Sequence, residues 1–345
     1  MSNIKISFCI PTYNRSELLS ELIESIVSQC KNRNDIEICI SDNASSDNTS
    51  EMIAKWKEST DTPIVYQVNK ENIGPDRNYL AAVDLASGEY CWLFGSDDKL
   101  VPHSIINIDK YLNANTDIYI VDRFKCDLSM KILSQQAWMT TGDKEYDTSN
   151  LSELDEFLDN SLFLGAIFSY LSSIIVKREG WNSVSFEAKH IGTAYVHVYY
   201  LLTMMRNGVR IKYINKPLVL CRGGNDFFSI NGFSKRILLD FDGYESITQD
   251  VFRHNHSIKK KILSILLKER PVIHTIIAVA VYGDYIDKVS LRDHYKKLGV
   301  NELFFDFIYF FRPVYKLADK LNLSSKYKWF RVFFHDFCIP KNISK

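Results

Sequence analysis

The sequence predicts an α/β protein, built as a parallel, doubly wound sheet with a helical extension rich in aromatic and basic residues. Three observations lead to this. Over the first hundred residues short β runs alternate with helical stretches, as in sheets whose strands are joined by helical crossovers. Near residue 96 the chain reads WLFGSDDKLVP, an apolar strand running into two adjacent acids. Open α/β sheets bind their ligands at that end of a strand. From about residue 230 onward the spacing is helical, and aromatic and basic residues accumulate.

The elements follow in order. Residues 4–10 form a buried strand that Pro11 should stop, and 16–30 carry Leu18, Leu19, Leu22, Ile23 and Ile26 at helical spacing. Residues 36–40 are a second strand and 49–56 a helix; 64–68 are a third strand and 74–86 a third helix. The series closes with the strand 90–94. Further on the pattern loosens, with strands at 118–121, 172–176 and 210–214 and helices at 154–162 and 196–207. A division falls between 1–228 and 229–345.

Composition narrows the class. With 345 residues and 46% hydrophobic content the chain can bury a sizeable core. Lys+Arg and Asp+Glu both number 42, so no overall field marks a nucleic-acid binder. The cysteines (Cys9, Cys30, Cys39, Cys91, Cys126, Cys221 and Cys338) form no C-x-x-C pair and no zinc spacing. They read as reduced core thiols of a cytoplasmic protein. The first apolar run ends too early for a signal peptide, and no apolar stretch reaches the roughly 20 residues of a membrane span.

Four polar segments each follow a strand, and each has a plain alternative. Pro11-Thr12-Tyr13-Asn14-Arg15 precedes a helix N-terminus and suits an anion, or is a loop that Ser16 caps. In Ser41-Asp42-Asn43-Ala44-Ser45-Ser46-Asp47 an acid can accept from a ribose or a base; otherwise the segment is an Asx turn. Residues 69–78, NKENIGPDRN, turn at Gly74-Pro75 and offer Arg77 to a diphosphate, or Arg77 is a surface cation. Ser96-Asp97-Asp98 suits a hard divalent cation shared with substrate phosphates, which needs only one or two protein carboxylates.

Taken together, FCIPTYNR, ICISDNASSDNT, ENIGPDRNYLAAVDLASGEY and WLFGSDDKLVP resemble, in order and spacing, the family 2 glycosyltransferases, which have the Rossmann-like GT-A fold. The resemblance covers residues 4–105 well and extends more weakly to about 224. It implies that Pro11, Thr12, Tyr13, Asn14 and Arg15 lie along the nucleotide of a nucleotide-diphospho-sugar, and that Asp42 contacts the base or ribose with Asn43 beside it. Arg77 would lie near the donor's phosphates, with Asn72, Gly74 and Asn78 also binding the donor. Asp98 would hold Mg²⁺ or Mn²⁺, and Asp97 the ribose or the cation's surroundings. Ser96 stands where the family usually has a first aspartate.

Glycosyl transfer needs a base for the acceptor hydroxyl. The family's usual acid is missing before YLLTMMRNGVRIKYINKPLVLCR, and counting back from Gly208 puts His197 at its position. An imidazole with an ordinary pKa of roughly 6.5 suits that role near neutrality; His190 and Glu187 are the alternatives. Arg222, opening RGGND, could close over the donor diphosphate or belong to a plain turn. The SDD variant, GPDRN and the stretch GTAYVH look most like abequosyltransferases, which carry a 3,6-dideoxyhexose from a CDP-sugar to a lipid-linked O-antigen oligosaccharide. The alternatives are another donor, UDP- or dTDP-linked, or a non-catalytic nucleotide-binding module. From residue 312 eight bases face two acids, and aromatics are interspersed; that mixture suits a peripheral site on the inner face of the cytoplasmic membrane, or else a packed helical cap.

Overall fold

The computed structural model describes residues 4–225, 228, 232–321 and 323. The first half contains β1 (Ile6–Thr12), α1 (Ser16–Val27), β2 (Ile36–Asp42), α2 (Thr49–Ser59), β3 (Ile64–Val68), α3 (Pro75–Asp84), β4 (Tyr90–Leu93), β5 (Lys99–Leu100), α4 (Ser104–Ile108), β6 (Ile118–Cys126), β7 (Ile132–Gln136), β8 (Lys144–Asp147) and α5 (Leu151–Asn160). Then come β9 (Ile174–Lys177), α6 (Arg178–Asn182), α7 (Val196–Asn207) and β10 (Arg210–Arg222). Six helices follow: α8 (Phe233–Val251), α9 (His256–Glu269), α10 (Val272–Tyr282), α11 (Tyr285–Lys297), α12 (Glu302–Phe310) and α13 (Arg312–Lys320).

The sheet runs β3-β2-β1-β4-β9-β6-β10-β5, with β7 on β6 and β8 on β10. Its first four strands are parallel, as the strand–helix alternation predicts. Beyond β4 the sheet is mixed, because β9 enters antiparallel to both β4 and β6. Pro11 does not end β1: it pairs with Ser41 and the strand continues to Thr12. Pairing of β1 with β4 stops at Cys9, so Pro11 sits on a one-sided stretch where proline is tolerated.

Strand alternation splits the core between the two faces. Phe8, Ile10, Trp92 and Phe94 pack with Leu19, Leu22, Ile23 and Ile26 of α1, which recur at helical spacing. Cys9, Cys39 and Cys91 face the other way, toward Ala82 and Val83 of α3. That second cluster runs on through α7 and α8 as far as Phe305. The chain on both sides of residue 228 therefore shares one core. Among the described residues the six cysteines are free thiols; Cys338 lies outside them.

The C-terminal helices leave apolar side chains in solvent. Leu303, Phe307 and Phe310 of α12 are 79%, 62% and 76% exposed, and Val314 and Leu317 of α13 are also exposed. Arg312, Lys316 and Lys320 recur every four residues along α13. The aromatic run at 329–334 and the bases beyond Lys320 lie outside the described residues. No described helix is long and apolar enough to cross a membrane.

Candidate active site

The carboxyl ends of β1, β2 and β4 open onto a cavity of about 510 Å³. Of the sequence-predicted residues, Pro11, Thr12, Tyr13, Arg15, Asn43, Asn72, Asn78, Ser96, Asp97, Asp98, His197 and Arg222 line it. An asparagine network joins the first three loops. Asn43 donates to Asn72 (2.7 Å) and accepts from the Ile73 N–H (2.8 Å), while Asn78 donates to the Thr12 carbonyl and accepts from Ser41. Gly74, at φ 81°, makes the turn that starts α3 with Pro75 in its first helical position.

Four predicted residues fall outside the lining. Asp42 is fully buried and accepts from the Ser45 N–H (2.9 Å) and the Tyr66 hydroxyl (2.6 Å). Asn14 accepts from the Ser46 N–H, and Gly74 only shapes the turn. The Arg77 guanidinium sits over the Phe186 ring, 5.8 Å from its centre. Pro75, Asn78 and Tyr79 share one helix face by their spacing of three and four, and Arg77, two positions past Pro75, points elsewhere. The Asx-turn reading of the second segment holds at Asp47, whose carboxylate accepts from the Ser16 and Thr49 N–H groups at the starts of α1 and α2.

The two acids differ sharply. Asp98 is buried and accepts from the Tyr170 hydroxyl (2.6 Å), the Ser172 hydroxyl (2.6 Å) and the Arg222 N–H (3.0 Å). Burial, and then the neighbouring Asp97 charge, push its pKa up to about 7 despite those donors. Asp97 is more open, and its Oδ2 accepts from Arg15 (2.7 Å) and Asn225 (2.6 Å). Arg222 clamps this turn. Its guanidinium donates to the Asp97 and Leu128 carbonyls and pairs with Glu21 at 2.8 Å.

Gly95 shows what lies between the carboxylates. A Cβ there would stand 3.1 Å from Asp97 Oδ1 and 3.3 Å from Asp98 Oδ2. One oxygen of each acid thus lies close beside this glycine, and the Asp98 oxygen is the one that accepts from Tyr170 and Ser172. This donor set fits a hard divalent cation that takes its remaining ligands from elsewhere. Among the described residues no group of three or more His, Cys, Asp or Glu is placed to hold a metal unaided.

Across the cavity, His197 in the first turn of α7 is 2% exposed and stands edge-on to the Tyr79 ring. Neither ring nitrogen has a hydrogen-bond partner among the described residues, nor does Thr12 Oγ1. Burial lowers the imidazole pKa to about 4, not the ordinary value expected from sequence. The turn before α7 hangs on Asp76, which accepts from the N–H groups of Gly192 (2.7 Å), Ala194 (3.1 Å) and Val196 (3.3 Å). The two alternatives to His197 lie elsewhere. His190 is buried against Tyr199 and bonded to Asp250, and Glu187 lines a separate groove with Asp250.

The sequence description of glycosyl transferase family 2 matches residues 7–183. The chain belongs to this family. It is 47% identical over 300 residues to the abequosyltransferase RfbV of Salmonella typhimurium, covering 86% of this chain and 90% of that protein. Among solved structures, the Staphylococcus aureus protein TarS, residues 1–349 in complex with UDP-GlcNAc, superposes with a TM-score of 0.60 at 13% identity. The match covers 94% of this chain and 92% of that one. The mannosyltransferase PcManGT of Pyrobaculum calidifontis, in complex with GDP-Man and Mn²⁺, gives 0.50 at 16% identity, covering 92% and 88%. At these identities the structural likenesses concern the fold, which is the expected GT-A arrangement followed by helices.

This glycosyltransferase also lines its cavity with residues that sequence reading did not single out: Tyr79, Arg123, Tyr170, Ser172, Tyr195 and Arg236. Only Tyr79 left a local signal, through its helical spacing from Pro75. Arg236 arrives from α8, where it pairs with Asp240, a buried acid that also binds Arg270. The helical region thus contributes to the cavity wall.

Proposed function

We propose that this family 2 glycosyltransferase moves a 3,6-dideoxyhexose, abequose, from its CDP-activated form to a lipid-linked O-antigen oligosaccharide. The observation that carries this reading is the 47% identity to an abequosyltransferase over nearly the whole of both chains. In this reading Thr12, Tyr13 and Arg15 lie along the nucleotide, and the Asn43–Asn72–Asn78 network fixes the base and ribose end. Asp98 and Asp97 are the residues that would hold Mg²⁺ or Mn²⁺. The cation's contribution is to offset charge growing on the leaving nucleoside diphosphate. His197 takes the acceptor hydroxyl's proton. It enters the reaction neutral, and an anionic diphosphate brought into the cavity raises its affinity for that proton.

A thermal-shift screen tests the donor. CDP with Mn²⁺ is expected to raise the melting temperature more than UDP, GDP or dTDP, and chelation of the cation is expected to remove the shift. A selective response to another nucleotide would discard the CDP assignment. A metal-dependent shift with CDP but no turnover of any CDP-sugar would favour a binding module.

The lipid-linked acceptor puts the enzyme at the cytoplasmic face of a membrane, and the exposed apolar side chains of α12 and α13 beside a row of bases support contact there. The protein is expected to float with vesicles containing anionic phosphatidylglycerol and to stay behind with phosphatidylcholine alone. The double substitution Phe307→Asp and Phe310→Asp should abolish flotation; undiminished flotation would remove these helices from the contact.

A further inference from the structure

Four arginines line the cavity, and three of them are already paired with carboxylates. Arg15 binds Asp97, Arg222 binds Glu21, and Arg236 binds Asp240. Arg123, on β6, differs. Its Nε and Nη2 both donate to Gln136 Oε1, at 3.0 and 2.8 Å, and its Nη1 approaches the Cys221 sulfur at 3.1 Å. All these partners are neutral, and among the described residues Arg123 has no ion pair. The guanidinium carbon lies 4.2 Å from the Tyr170 ring centre and 4.7 Å from that of Trp138. Two aromatic rings and a glutamine therefore hold a permanent cation in one orientation at the wall of the cavity, with the Asp98 and Glu269 carboxylates near enough to favour its charge but neither in a direct ion pair with it.

Desolvating a charge without a direct ion pair is costly, and a guanidinium held in this way at a cavity wall is suited to receive an anion. Arg123 comes from a different part of the sheet than the nucleotide loops. The sheet order β1-β4-β9-β6 puts it two strands beyond the Asp97–Asp98 turn, on a strand flanked by β9 and β10. Tyr170, which stacks on it, is the residue whose hydroxyl binds Asp98. We infer that Arg123 is the cavity's anion receptor and pairs with a diphosphate group of a bound substrate. The donor's nucleoside diphosphate and the acceptor's lipid diphosphate both carry that chemistry. The inference rests on the glycosyl-transfer reading of the cavity and adds a residue and a charge to it.

The test compares the full-length protein with its Arg123→Gln variant, using Arg123→Lys to retain charge without the planar fork. Affinities for CDP, cytidine and inorganic pyrophosphate are measured by calorimetry with Mn²⁺ present, and KM is measured for a diphosphate-linked acceptor and for the same oligosaccharide without phosphate. Loss of a charge-assisted bond should weaken diphosphate binding about 10- to 100-fold. A drop for CDP with cytidine unchanged assigns Arg123 to the donor. Unchanged CDP, with KM raised only for the diphosphate-linked acceptor, assigns it to the acceptor. Equal weakening of cytidine and CDP, or no change in any of these values, overturns the inference. Should the wild-type protein bind no nucleotide, the proposed function fails, and the pyrophosphate comparison still decides the role of Arg123.

Discussion

Asp98→Asn is expected to lower cation-dependent turnover by about 10³-fold or more while leaving the protein folded. The size is that of losing an electrostatic stabiliser of the leaving group, and Asp98 and Asp97, each with one oxygen beside Gly95, are the acids that would hold the cation. Asparagine keeps the shape and one oxygen but carries no charge. Alanine is the poorer test, because it would strip the acceptor from the Tyr170 and Ser172 hydroxyls and from the Arg222 N–H, all within the core. Initial rates across a Mn²⁺ titration, beside a melting curve, make the measurement. Near-normal rates at saturating Mn²⁺ would take the cation away from Asp98.

His197→Ala should reduce kcat by about 10²- to 10⁴-fold, the usual worth of a positioned general base, with donor affinity nearly unchanged. A variant that loses donor binding and keeps kcat would make His197 a ligand of the donor. The same residue makes a second, independent expectation. Its folded pKa of about 4 lies below the roughly 6.5 of an unfolded histidine. Between those values the unfolded chain binds more protons, so stability falls as pH drops through that window. The melting temperature of His197→Ala should fall less steeply than that of the wild type over this range. Equal slopes would mean that the imidazole is not held neutral in the folded protein.

Much of the fold was legible because its first half uses local rules. Strands β1 to β4 and helices α1 to α3 carry their periodicity and their turns within each segment, so both type and order could be read. The motif loops then had to meet at one edge, since parallel strands all present the same end. The mixed half was harder: β5, β7 and β8 are two to five residues long, and β5 and β8 pair with β10, far along the chain. The same distinction runs through the cavity. Arg77 was chosen for its charge, yet helix geometry turns it toward Phe186. Arg123 and Tyr170 could not be chosen at all, because a cation between two rings exists only after β6, β7 and the segment before β9 have come together. The ordinary pKa expected of His197 failed for the same reason, since burial is a property of the assembled core.

The Asp76 carboxylate has a mechanical consequence. Three backbone N–H groups of one short turn converge on it, and Asp76 is itself in the first turn of α3. Swinging that turn outward would orphan all of these bonds in a buried place, so the turn and the helix travel as one rigid piece. Pro75, Asn78 and Tyr79 ride on one end of this piece and His197 on the other. The spacing between the start of α3 and the imidazole is therefore fixed by the Asp76 carboxylate together with the Tyr79–His197 ring contact, so a tilt of α3 would be passed on to His197.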